Sequence, residues 1–147
     1  MSDPLHFEKI PVAELVKRGL VPDLSTNAAV ILVVDDERVI ADTLAAILCR
    51  SGYAAFPVYD AQSALEFAGA IVPDLVITDV SMPGMNGIEM AIALKSTQPE
   101  IKILLFSGQA ATSDMLSHAR ASGHDFKMLS KPVHPSELLT NVSGMVA

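Results

Sequence analysis

A single cysteine among 147 residues, Cys49, excludes an internal disulfide. It follows Leu44, Ile47 and Leu48 in a helical apolar pattern, so the expectation is a buried thiol in a reducing cytoplasm. Basic residues are also scarce. Ten Lys and Arg stand against seventeen Asp and Glu, a formal charge of −7, which opposes the phosphate-neutralising stripe that nucleic-acid binding needs. Direct contact with nucleic acid is therefore not expected. Long apolar runs are missing: the longest, "AAVILVV" at 28–34, has seven residues, far short of the ~20 that span a bilayer. The first thirty residues carry Asp3, His6, Glu8, Lys9, Glu14, Lys17 and Arg18 with no continuous apolar stretch, so no signal peptide and no membrane insertion are expected.

What is present is a chain that is half hydrophobic and only 18% charged, rich enough in apolar residues for a sheet covered by helices on both faces. Its length suits one domain. From Ala28 onward short apolar runs alternate with amphipathic stretches, the pattern of repeated β-α units. Strands are expected near 29–34, 54–59, 74–79, 101–106 and 126–130, with helices over 37–51, 61–70, 87–97, 110–121 and 135–145. The first helix has Ile40, Leu44, Ile47 and Leu48 at helical spacing and a stop at Ser51-Gly52. The fourth, mostly alanine with Met115 and Leu116, has the weakest pattern.

"AVILVV", "LVIT" and "IKILLF" are near-continuous in apolar residues, as parallel strands buried on both faces require, whereas "AAFPVY" contains Pro57. Proline removes a ladder donor, which assigns the second strand to a sheet edge. An open, doubly wound, flavodoxin-like (βα)5 sheet of order 2-1-3-4-5 satisfies that constraint. Residues 1–27 stand outside the alternation and form an arm to a domain at 28–147. Within the arm "PVAELVKRGL" has the pattern of a short helix, with Pro11 in its first turn, Val12, Leu15 and Val16 on one face, and Gly19 closing it.

In a parallel sheet all C-terminal strand ends share one edge, where ligands bind. The first strand runs into Asp35-Asp36, the third ends at Asp79, the fourth at Ser107 and the fifth at Lys131-Pro132. Singly these are ordinary turn, cap and surface residues. Jointly they place three carboxylates, a hydroxyl and an ammonium at one edge. Two carboxylates ~4 Å apart repel by about 1 to 4 kcal/mol, which a hard divalent cation relieves, and oxygen ligands suit Mg²⁺. A carboxylate beside Mg²⁺ is a nucleophile toward phosphorus, and Lys131, Ser107 and backbone N–H groups near Val80 are placed to stabilise the equatorial oxygens of the transition state.

The stretches "ILVVDDE", "DLVITDVSMPGMNGIEM", "ILLFSG" and "LSKPV", in this order, make the sequence resemble the receiver domain of two-component response regulators over Val30 to about Val142. The resemblance implies that Asp79 is the phosphoacceptor. It further implies that Asp36, Asp79 and the main-chain carbonyl of Ser81 bind Mg²⁺, with Asp35 assisting directly or through water. Ser107 would be the hydroxyl that follows the phosphoryl group and Lys131 the phosphate-contacting lysine, followed by a proline with a cis bond. The donor would be a phosphohistidine on a sensor kinase or phosphotransfer protein. The readout would be altered binding to a downstream protein through the face of the fourth helix, fifth strand and fifth helix, with no separate turnover substrate.

The chain departs from the family at the aromatic switch, three residues before the lysine, where it has Met128. Phe126 lies on the same face by strand alternation. Met85 and Met90 read as loop and core fillers, and His6, His118, His124 and His134 show no ligand spacing. Two other readings stand beside the phosphorylated receiver: a receiver-like module that docks partners without phosphorylation, and a Mg²⁺-dependent phosphatase with the logic of haloacid dehalogenases. The latter normally has a second aspartate two residues after the nucleophile, where this chain has Ser81. Sixteen residues follow Lys131 and the fifth helix is expected to fill them, so the expectation from this sequence is signalling without an output domain.

Overall fold

The computed structural model describes residues 27–108 and 112–147, with only the backbone described at Thr112 and Ser113. The expected arm helix lies outside the described residues. Five strands, β1 (Val30–Val34), β2 (Ala54–Val58), β3 (Leu75–Asp79), β4 (Lys102–Ser107) and β5 (Lys127–Ser130), form one sheet in the order β2-β1-β3-β4-β5. Every pairing is parallel. The helices are α1 (Arg38–Arg50), α2 (Ala61–Ala70), α3 (Gly87–Thr97), α4 (Thr112–Ala121) and α5 (Pro135–Val146). The expected doubly wound architecture is the observed one, with element ends shifted by a residue or two.

The apolar runs are continuous because the central strands are covered twice. All of β3 is buried, as is all of β4 after Lys102. Alternate side chains divide between two cores. Leu32, Val34, Val76, Ile103 and Leu105 face α2, α3 and α4, whereas Ile31, Val33, Leu75, Ile77, Leu104, Phe106 and Leu129 face α1 and α5. Pro57 sits in the edge strand β2 opposite Val33, where a missing donor leaves no inner neighbour unpaired.

The helix ends carry their own signals. Asn86 caps α3 in a reciprocal capping box with Glu89 (2.9 and 3.0 Å), and Asp60 accepts from the Ser63 N–H at 2.7 Å to start α2. His134 accepts from the Ser136 N–H at 3.2 Å and precedes Pro135 at the start of α5, which makes it the N-cap of that helix. Gly52, at φ +98°, ends α1 in a conformation that side-chain-bearing residues rarely adopt.

One expectation fails. Cys49 is exposed, not buried, because α1 turns Ala41, Leu44, Ala45 and Leu48 inward and the next residue rotates off that stripe. Its thiol donates to the Ala55 carbonyl at 3.4 Å. Met90 is fully buried and Met85 is exposed, in line with their reading as core and loop residues.

Candidate functional site

Asp79 is the last residue of β3: Ile77, Thr78 and Asp79 pair with Leu104, Leu105 and Phe106 of β4, while the pairing with β1 on the other side ends one residue earlier, at Thr78 opposite Val34. Beyond it the Val80 N–H still donates to the Phe106 carbonyl at 3.1 Å. Neighbouring β1 ends one residue before Asp35, whose side chain is wholly buried (0% exposed), while Asp36 is exposed. Asp79 is 5% exposed. The carboxylates of Asp35, Asp36 and Asp79 each offer an oxygen within 4.8 Å of the others, the one such cluster found among the described residues.

Lys131 crosses from the end of β5 to join them. Its Nζ lies 3.4 Å from Asp35 Oδ2 and 3.3 Å from Asp79 Oδ2, and 5.0 Å from the centroid of the Phe106 ring. The remaining oxygens accept backbone bonds, Asp35 Oδ1 from the Glu37 N–H at 2.9 Å and Asp79 Oδ1 from the Ser81 N–H at 3.3 Å. Burial pushes the Asp79 carboxyl above its ordinary pKa of 3.8 even though Lys131 opposes it. Burial likewise raises Asp35, with the Glu37 N–H pulling the other way. For Lys131 burial favours the neutral amine, but Asp79 and Asp35 outweigh it and leave the ammonium above its ordinary 10.5.

Ser107 ends β4 with a buried side chain, and its carbonyl accepts from the Lys131 N–H at 3.0 Å. The Lys131–Pro132 bond is cis, as the resemblance implies. Asp36, Glu37, Asp79, Ser81, Gly108 and Lys131 line an open cavity of about 280 Å³. Candidate residues from three strand ends, Asp36 after β1, Asp79 and Ser81 at the end of β3 and Lys131 after β5, therefore surround one space, to which the end of β4 contributes Gly108 and not Ser107. Phe126 is buried and Met128 half-buried, and both pack on the core shared by α2, α3 and α4, with Met128 opposite Leu105. His124 stacks on Phe126 at 5.7 Å between ring centroids, which accounts for that histidine without a metal.

The family described as response regulator receiver domain matches residues 31–143. This chain belongs to that family. The receiver is 32% identical over 116 residues to the response regulator MprA of Mycolicibacterium vanbaalenii, an alignment covering 79% of this chain and 49% of MprA, so the chain spans about half the length of the curated relatives it matches. A CheY-like receiver domain protein from Methanospirillum hungatei superposes with a TM-score of 0.74 at 26% identity, covering 82% of this chain and 94% of the other. The response regulator TrrA of Thermotoga maritima, solved in complex with Mg²⁺ and BeF, gives a TM-score of 0.70 at 30% identity, covering 80% and 98%. No helix among the described residues is long and apolar enough to cross a membrane.

The sequence left two features of this receiver's site unread. Gly87, the first residue of α3, lies so close beneath the site that a Cβ there would sit 2.1 Å from the Asp79 carbonyl oxygen. Only a residue without a side chain lets α3 start against the end of β3. The second feature is an apolar groove of about 420 Å³ beside the acidic cavity, formed by Val39, Ile40 and Leu44 of α1 with Phe106, Pro132 and Val133. Lys131 lines both spaces. The glycine of "MNGIEM" and the valine of "ERVI" were visible as letters, but neither periodicity nor composition signals a close approach or a groove between distant segments.

Proposed function

We propose that this receiver accepts a phosphoryl group on Asp79 from a phosphohistidine of a sensor kinase or phosphotransfer protein, and signals by altered binding to a downstream protein. The observation that carries the reading is the bridge made by Lys131 to two buried carboxylates, with a third, exposed carboxylate beside them and open space above. Two buried acids and one ammonium leave a net negative charge next to Asp36, a donor set of oxygens that fits Mg²⁺. Asp36, Asp79 and the Ser81 carbonyl would hold the ion, with Asp35 assisting, and its charge would make the acidic pocket tolerant of an incoming phosphate. The likeness to TrrA, solved with Mg²⁺ and BeF, supports the same assignment.

An Asp79 carboxylate oxygen attacks phosphorus in line. The new O–P bond forms as the P–N bond of the donor breaks, and the departing imidazole nitrogen takes the electron pair and then a proton. β3 fixes the nucleophile, and the backbone pairing of Asp79 with Phe106 of β4 limits its loss of orientation. The Lys131 ammonium moves its attraction from the free carboxylate to the phosphoryl oxygens, where negative charge is spread in the transition state. The Ser107 hydroxyl is the second group within the same sheet edge that follows the phosphoryl oxygen. Its movement draws on the core that holds Met128 and Phe126, and so reaches α4 and β5.

The apolar groove at Val39 favours a protein donor. Its apolar wall continues into the residue that contacts both acids, so a partner seated there brings its reacting group to the cavity mouth. The phosphatase reading loses ground, because position 81 holds a serine whose N–H serves Asp79 and no carboxylate stands there to act as a general acid. Incubation with acetyl phosphate tests the proposal. One phosphoryl per chain is expected in the presence of Mg²⁺, absent with a chelator and absent in Asp79→Asn, while an undiminished adduct in that variant would falsify the assignment.

A further inference from the structure

The chain enters the domain at the end of the sheet opposite Asp79. There the Val30 N–H donates to Asp74 Oδ2 and the Asp74 N–H returns a bond to the Val30 carbonyl, each at 2.8 Å. Asp74 also lines a second groove, of about 560 Å³, with Val72, Pro99, Glu100, Ile101 and Val146. Val72 is 60% exposed in it, one of three large hydrophobic side chains so exposed among the described residues. Met85 lies on a loop and Val39 belongs to the groove at the phosphorylation site, so Val72 is the one that the proposed function leaves without a purpose. The rim carries the carboxylates of Asp74 and Glu100, whereas the ammonium of Lys102 is engaged with the Met145 carbonyl at the end of α5.

We propose that residues 11–20 of the same chain, "PVAELVKRGL", dock into this groove. Val12, Leu15 and Val16 recur at helical spacing and supply the apolar face that the exposed Val72 and the partly exposed Val146 match, and Lys17 and Arg18 supply two cations for Asp74 and Glu100. The connection is long enough: residues 21–29 span up to about 30 Å when extended, and they start from a strand that is hydrogen-bonded to the groove's own wall. The occupant is tethered, so its effective concentration at the groove is high and a modest apolar contact suffices. A donor protein has no reason to reach this face, which is at the other end of the sheet from Asp79.

The test uses the full chain with Cys49→Ser, Leu15→Cys and Val72→Cys, treated with a short bis-maleimide and read on a denaturing gel with peptide mass mapping. An intramolecular 15–72 link in a monomeric band is the expected result. A link that appears only in a dimeric band would assign the groove to the arm of a second copy, and capping of both thiols without any link would leave the groove uncovered by the arm; either result overturns the proposal. A double-mutant cycle gives an independent reading. Val72→Asp and Leu15→Asp should each lower the thermal midpoint by roughly 3 to 6 °C, and the double variant by little more than either. Strict additivity, or no shift from Val72→Asp, contradicts docking. Acetyl phosphate labelling should be unchanged in all of these variants, which separates this proposal from the assignment of Asp79.

Discussion

Lys131 stands between two acids that burial makes reluctant to ionise, and that balance sets what single substitutions should do. Asp35 and Asp79 both have folded pKa values above the ordinary 3.8, chiefly through burial. A carboxyl raised in the folded state contributes stability below its unfolded pKa, and that contribution is lost as pH rises through the folded value. At neutral pH the ionised Asp35 and Asp79 carboxylates of the metal-free protein therefore each cost stability. Asp79→Asn should raise the thermal midpoint of the metal-free protein at pH 7, and the gain should shrink toward nothing as pH falls below about 4; a lower midpoint at pH 7 would show that the Lys131 bridge outweighs burial. Lys131 follows the same rule in a higher window: its contribution is present below 10.5, and so at neutral pH, and is lost only as pH rises through its raised folded value. Asp36→Ala should weaken Mg²⁺ binding by on the order of tenfold or more, since it deletes an exposed anionic ligand. Lys131→Ala should leave binding unchanged or tighter, because it removes a cation 3.3 Å from Asp79 Oδ2. A calorimetric titration of the two variants side by side decides this, and equal losses in both would mean their roles have been misassigned.

Elements position these residues, and the end of β3 is held by the start of α3. With Gly87 directly under the Asp79 carbonyl, Gly87→Ala must push the helix from the strand. The expected cost is about 1–3 kcal/mol of stability, with a slower acetyl phosphate reaction in molecules that remain folded. Denaturant melts and labelling rates measure both, and a neutral Gly87→Ala would mean that α3 does not clamp the strand end. At the same helix Asn86→Ala should cost about 1 kcal/mol through loss of the capping box, with less effect on labelling. The elements themselves were largely legible from the sequence. The runs at β1, β3 and β4 are apolar because both faces are covered, Pro57 marked the edge, and the helical stripe of α1 was plain. Cys49 was misread because it is one residue past that stripe, where a rotation of about 100° separates a buried position from an exposed one. The site was legible for the same reason as the fold, since parallel strands deliver their C-terminal residues to one edge. Gly87 was not, because a backbone contact between α3 and β3 leaves no periodic trace.

At the scale of the molecule, the apolar groove at Val39 and the acidic cavity share Lys131, so partner contact and chemistry can be separated. Val39 is 78% exposed, and Val39→Glu should leave stability and labelling by acetyl phosphate near wild type. Phosphotransfer from a histidine-phosphorylated protein should slow by on the order of tenfold, as loss of a central apolar contact costs about 1–2 kcal/mol. Equal rates with a protein donor would remove the groove from the account. The groove joins α1 to the segment after β5, about ninety residues apart in sequence, and only the folded chain reveals it. The most direct test of the central claim is reductive trapping of the acyl phosphate. Protein treated with acetyl phosphate and Mg²⁺ is reduced with borohydride, digested and mapped by mass. The account predicts conversion of Asp79 to homoserine in the peptide that contains "DLVITDVSMPG", and of no other aspartate. A modified residue anywhere else, or an unmodified Asp79 in protein that carries a phosphoryl group, would contradict it.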